Sequence, residues 1–178
     1  MDYLTPLQQF LANRLNLISR LLILLGAGAL VLSFFFPLWG ITLEAPQYSR
    51  GLQLDIYSYQ LEAGNNGNDL QEINILNHYI GMQPIEEADF VEMTWSPFAV
   101  GFFILFSLRT AVFGTMKSLI DTFALYFYFS LFSLVNFVYR LYSFGYDLDP
   151  TAPVNVDPFM PALLGKSEIA NFTQYSYP

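Results

Sequence analysis

Cysteine is absent from the 178 residues, so a disulfide, an acylated lipoprotein cysteine and the CxxCH attachment of haem are all closed to this chain. Histidine occurs once, at His78, which excludes a bis-histidine haem built from this chain alone. Charge is also scarce: 12% of residues carry it, about half the share usual in a soluble domain. Basic residues are the scarcer sign, seven against fifteen acidic, for a formal charge of -8. A surface of that sign repels a phosphate backbone, so nucleic acid is excluded as a partner. There is no glycine-rich phosphate loop, and no spacing supports a serine, histidine and acid triad. No catalytic residue is therefore assigned, no independent catalytic activity is expected, and cofactor-binding residues stay open.

What the chain does have is apolar surface, 54% of its residues, gathered into Leu21 to Leu43, Pro97 to Met116 and Phe123 to Phe144. That layout predicts an α-helical membrane protein with three transmembrane helices, a small mixed extracytoplasmic loop domain and an extended C-terminal segment. Residues 1–20 read as a cytoplasmic-side amphipathic helix: Thr5 can cap it, Pro6 suits its first turn, and Leu4, Leu7, Leu11 and Ile18 recur at helical spacing. Residues 21–43 form the expected first span, free of charge and, at 1.5 Å per residue, long enough for a hydrocarbon layer of about 30 Å. Phe34 to Trp39 replaces the small-residue cleavage site of a signal peptide, which favours retention as an anchor. Residues 44–95 form the expected cap, 96–142 a transmembrane hairpin and 143–178 the extended tail.

Arg14 and Arg20 precede the first span, and Lys117 lies in the hairpin turn. The excess of basic residues on the cytoplasmic side then places the N-terminus inside and residues 44–95 and the C-terminus outside. Arg140, at the outer end of the third span, opposes that assignment. Arg109 and Asp121 each lie six residues from Thr115, which predicts a structural charge pair across the hairpin; proton transfer or ligand binding is the alternative.

Within the cap, Leu52, Leu54 and Ile56 alternate with polar residues as a strand does, Gly64 to Asn68 reads as a turn, and Asp69 to Met82 carries a helical apolar pattern. His78 and Met82 stand four apart, so on one helix they share a face and can offer nitrogen and sulfur to copper(I), with Met93 as a third ligand. Against that, a lone histidine also satisfies itself on neighbouring carbonyls, and methionine packs cores. In the tail, Asp149-Pro150, Ala152-Pro153 and Met160-Pro161 favour an extended course that wraps a partner or lies over the cap.

Several longer motifs carry a resemblance: GLQLDIYSYQL at 51–61, EINILNHYIGM at 72–82, WSPFAVG at 95–101, YSFGYDLDPTAPVNVDPFMPALLG at 142–165 and IANFTQYSYP at 169–178. By these the chain resembles an uncharacterised bacterial integral-membrane family, NosB-like, encoded beside the atypical form of nitrous oxide reductase. The resemblance implies an accessory role in maturation, copper handling or electron supply to an extracytoplasmic cuproenzyme. The family pattern has a histidine after the glycine at 145; this chain has Tyr146, which leaves His78 as the sole imidazole. The function expected is thus a noncatalytic accessory subunit of a membrane-associated respiratory or cuproenzyme complex, aiding its assembly or stability. Its partners would be membrane lipids and integral-membrane or extracytoplasmic subunits. The alternative is a copper-handling or electron-supply component of electron transport.

Overall fold

Leu7 and Leu11 continue a helical repeat into the polar run at Asn13, and there the first helix stops: in the computed structural model α1 spans Leu4–Ala12. The model describes residues 4–169 and 172–178, with side chains from Pro6 on. Met1 to Tyr3 lie outside the described residues, and so does the side chain of Thr5, which falls within α1 instead of before it. The single surface helix expected over residues 1–20 is therefore two. The Asn16 side chain accepts the Ser19 amide at 2.8 Å and starts α2, Leu17–Leu32.

The expected first span over residues 21–43 needs the larger correction. α2 ends at Leu32, where the Ser33 hydroxyl bonds back to the Leu30 carbonyl, and strand β1, Trp39–Ala45, begins seven residues later. The run is continuously apolar, so hydropathy alone extends the helix. Pro37 lacks the amide needed to continue it, and Ile41 and Thr42 suit a pleated strand. The chain is thus mixed helix and sheet, and three spanning helices are not what it forms by length.

Two helices do have spanning length: α4, Val91–Phe113, and α5, Met116–Tyr146. Only 22% and 11% of their most apolar stretches are buried, whereas the core helix of a soluble protein would be mostly covered. Pro97 sits inside α4 and removes the amide that would bond to the Met93 carbonyl.

The residues divide into two units, 1–35 with 96–133, and 36–95 with 134–178. In the first, α4 and α5 meet along small polar side chains. Thr110, wholly buried, lies 2.6 Å from the Thr122 hydroxyl and 2.9 Å from that of Ser118. Ser107 and the Tyr126 hydroxyl lie 3.0 Å apart one layer on, beneath the packed rings of Phe103, Tyr126 and Phe129. Small residues let helix backbones approach closely, and interhelical hydroxyl bonds hold them where lipid offers no hydration.

The second unit contains an antiparallel five-stranded sheet in the order β3-β2-β1-β5-β4. Its further strands are β2, Tyr48–Ile56; β3, Leu61–Ala63; β4, Gly165–Ile169; and β5, Phe172–Tyr177. The alternation at Leu52 and Leu54 places both on the buried face with Ile41, Leu43, Ile169 and Phe172. Ile73, Leu76 and Ile80 of α3, Asn68–Tyr79, and Leu141 of α5 close that core. Backbone bonds hold the tail to the unit ahead of β4 and β5. Asp149 and Val154 donate their amides to the carbonyls of Gly81 and Tyr79, and Phe159 donates to Gly145 at 3.0 Å. Gly145 must be glycine for that approach, because a Cβ there would stand 1.9 Å from the Phe159 oxygen.

Candidate functional site

Cross-strand register puts one set of polar side chains on the sheet face opposite the core. Thr42 of β1 is paired with Gln53 on one side and Tyr175 on the other, and Tyr175 with Lys166. In the row on one side of it Asp55 and Tyr177 flank Gly40, and in the row on the other side Glu44 and Glu168 flank Thr173. Directly paired residues share a face, so Glu44, Asp55, Glu62 and Glu168 surround the rings of Tyr175 and Tyr177. Gly40 makes room for this arrangement: a Cβ there would lie 2.5 Å from Asp55 Oδ1 and 2.6 Å from the Tyr177 ring. The Tyr177 hydroxyl donates to Asp55 Oδ1 at 3.2 Å.

This face is anionic and incompletely compensated. Lys166 is bonded to Glu168 at 2.6 Å, while Asp55 stands directly opposite Glu62, a like-charge pairing that works against the sheet. Burial first, and then the carboxylates of Glu62 and Asp55, push the nearby Tyr57 phenol up. The sheet unit as a whole holds thirteen acidic and three basic residues, a formal charge of -10; the other unit, with two acidic and four basic, carries +2. Aromatic rings among carboxylates on a rigid sheet form a surface suited to a basic protein partner.

The residues singled out for metal chemistry are not brought together. α3 ends at Tyr79, and Gly81, at a φ of +81°, turns the chain before Met82, so His78 and Met82 do not share a helix face. His78 is exposed at the end of α3. Met82 instead packs against the apolar core and lines a cavity of about 80 Å³ with Phe90, Phe137 and Phe144. Met93 lies in the first turn of α4. Among the described residues, no group of three histidine or acidic side chains is placed to hold a metal ion.

Arg109 and Asp121 are likewise not joined. Among the described residues the ion pairs are Arg140 with Glu92 and Lys166 with Glu168. Equal distance from the turn does give equal depth, but Thr110 and Thr122 occupy the contact seam, and Arg109 and Asp121 stand one residue out of it. The Arg109 guanidinium lies over the rings of Phe106 and Phe113 on its own helix, at 5.4 and 5.3 Å.

Sequence reasoning missed the charge pair that does form. Arg140 reaches Glu92 through two nitrogens, at 3.0 and 2.7 Å, donates to the Asp89 carbonyl at 2.8 Å and covers the Phe90 ring; Asn136 donates to the same carboxylate at 2.6 Å. The signal was present in the pair itself, since Glu92 and Arg140 are charges at the outer ends of two antiparallel helices. Tyr48 of β2 bonded to Glu72 of α3 was also missed. Compared with protein-family models, curated proteins and solved structures, the chain finds no significant match.

Proposed function

We propose that this chain is a membrane-anchored, noncatalytic accessory subunit that uses the anionic face of its sheet to hold an extracytoplasmic protein of a bacterial respiratory or cuproenzyme complex. The observation that carries this reading is Asp55 facing Glu62 beside the tyrosines: a sheet tolerates directly opposed carboxylates more readily when a basic partner offsets them. The resemblance to the NosB-like family agrees with it. In this reading α4 and α5 cross the inner membrane with their turn inside. α2, whose sixteen residues give about 24 Å, inserts as a short third helix from the same side, because the Leu15 amide bonds the Gly114 carbonyl at the turn.

The test is purification in mild detergent followed by native mass analysis. A stoichiometric protein partner is expected on the wild type, and Asp55→Lys with Glu62→Lys should release it while leaving the chain folded. Equal partner content in wild type and variant, or a wild type isolated without any partner, would reject the docking role.

A further inference from the structure

Three of the four basic residues of the other unit converge on one turn. Arg14 forms a backbone bridge with Thr115, the Leu15 amide donates to the Gly114 carbonyl at 2.6 Å, and the Met116 amide donates to the Asn13 carbonyl at 2.9 Å. This short ladder ties the α1–α2 junction to the α4–α5 turn. It brings Arg14, Arg20 and Lys117 to one end of the unit, where α2 and α5 both begin. Helix N-termini are themselves electropositive, so two of them add to three cations.

We propose that this junction binds the phosphate group of an anionic phospholipid. Arg20 is its centre. The guanidinium lies against Gly114, so close that a Cβ on that glycine would stand 2.2 Å from a terminal nitrogen. The Arg20 Nε is buried and has no hydrogen-bond partner among the described residues, and Arg20 belongs to neither ion pair found among them. The Nε itself is enclosed by the turn and closed to an outside oxygen, so the phosphate would meet the part of the Arg20 side chain that remains partly exposed; guanidinium donates to phosphate oxygens through its terminal nitrogens as well. Arg14 and Lys117 are exposed on either side of the turn. Asp121, one helical turn beyond Lys117, is the carboxylate of α5 in this unit; it is exposed and takes part in neither ion pair.

The surroundings favour a lipid over free phosphate. Next to the cations, Leu17, Ile18 and Phe113 are exposed at 72%, 68% and 62%, apolar surface whose natural neighbours in a bilayer are acyl chains. A headgroup arrives already tethered to such chains, whereas inorganic phosphate gains nothing from them.

The experiment measures thermal unfolding and native mass spectra of the full chain in mild detergent, with phosphatidylglycerol, phosphatidylcholine or inorganic phosphate added. Phosphatidylglycerol should be retained and should raise the melting temperature, and Arg20→Gln and Lys117→Gln should each weaken its binding about fivefold. Arg20→Gln also disturbs the packing at Gly114. Arg14→Gln and Lys117→Gln, at exposed positions, therefore decide the matter if Arg20→Gln fails to fold. Equal stabilisation by phosphatidylcholine would overturn the proposal, as would equal stabilisation by inorganic phosphate. Retention of phosphatidylglycerol undiminished in the Arg14→Gln, Lys117→Gln double variant would do the same.

Discussion

Tyr48 donates its hydroxyl to Glu72, and that bond, with burial and the carboxylate charge adding to it, pushes the phenol up to about 12. An unfolded chain releases the same proton near pH 10. The folded form therefore holds a proton that the unfolded form has lost, and stability is whole below about pH 10 and falls as pH rises from there to about 12. Urea midpoints at pH 9, 10 and 11 should decline more steeply for wild type than for Tyr48→Phe, which has no phenolic proton to lose at that position. Parallel declines would place the alkaline loss on other groups. A single bond of this kind matters because it ties β2 to α3, the strand and helix between which much of the buried face is closed.

At the scale of elements, Arg140 and Glu92 connect the last turns of α5 to the first turn of α4. Both side chains are about a quarter exposed, so the pair is screened in part, but Arg140 also satisfies the Asp89 carbonyl. Arg140→Met should cost about 1–3 kcal/mol, since it leaves a half-buried carboxylate with Asn136 as its remaining side-chain partner. Adding Glu92→Gln should recover part of the loss; a double variant as unstable as the sum of the two singles would show that the charges act independently. The same pair weakens Arg140 as an argument against the expected orientation, for a cation already bonded to a carboxylate is a poor guide to which side a helix end occupies. Elements whose pattern was local were legible: Leu52, Leu54 and Ile56 announced β2, and Leu70, Ile73, Leu76 and Ile80 announced α3. Trp39 to Leu43 was not, because an apolar run bordering a helix looks the same whether lipid or a sheet core will receive it. The anionic face was hidden for a related reason. Its rows join residues from both ends of the chain, Thr42 with Tyr175 and Asp55 with Gly40 and Tyr177, and only strand register makes them neighbours.

For the molecule as a whole, the proposed orientation rests on Arg14, Arg20 and Lys117, since acidic residues weigh little in topology. The absence of native cysteine gives a clean background for testing it. Single cysteines at Ser49 and at Tyr175 should react with a membrane-impermeant maleimide in intact spheroplasts, and one at Lys117 should react only after permeabilisation. The reverse pattern would invert the proposed topology. The sheet has one further consequence, which concerns the order in which its parts come into existence. β1 lies between β2, which follows it at once, and β5; Thr42 and Tyr177, bonded across the β1–β5 pair, are 135 positions apart. At about 5–20 residues per second, a ribosome delivers β5 roughly 7 to 27 seconds after β1. Throughout that interval β1 has one finished neighbour and one open edge, while both long apolar helices are still being made. The nascent chain is thus a half-built sheet whose central strand waits for its second side, and factors that bind exposed strand edges would meet it in that state.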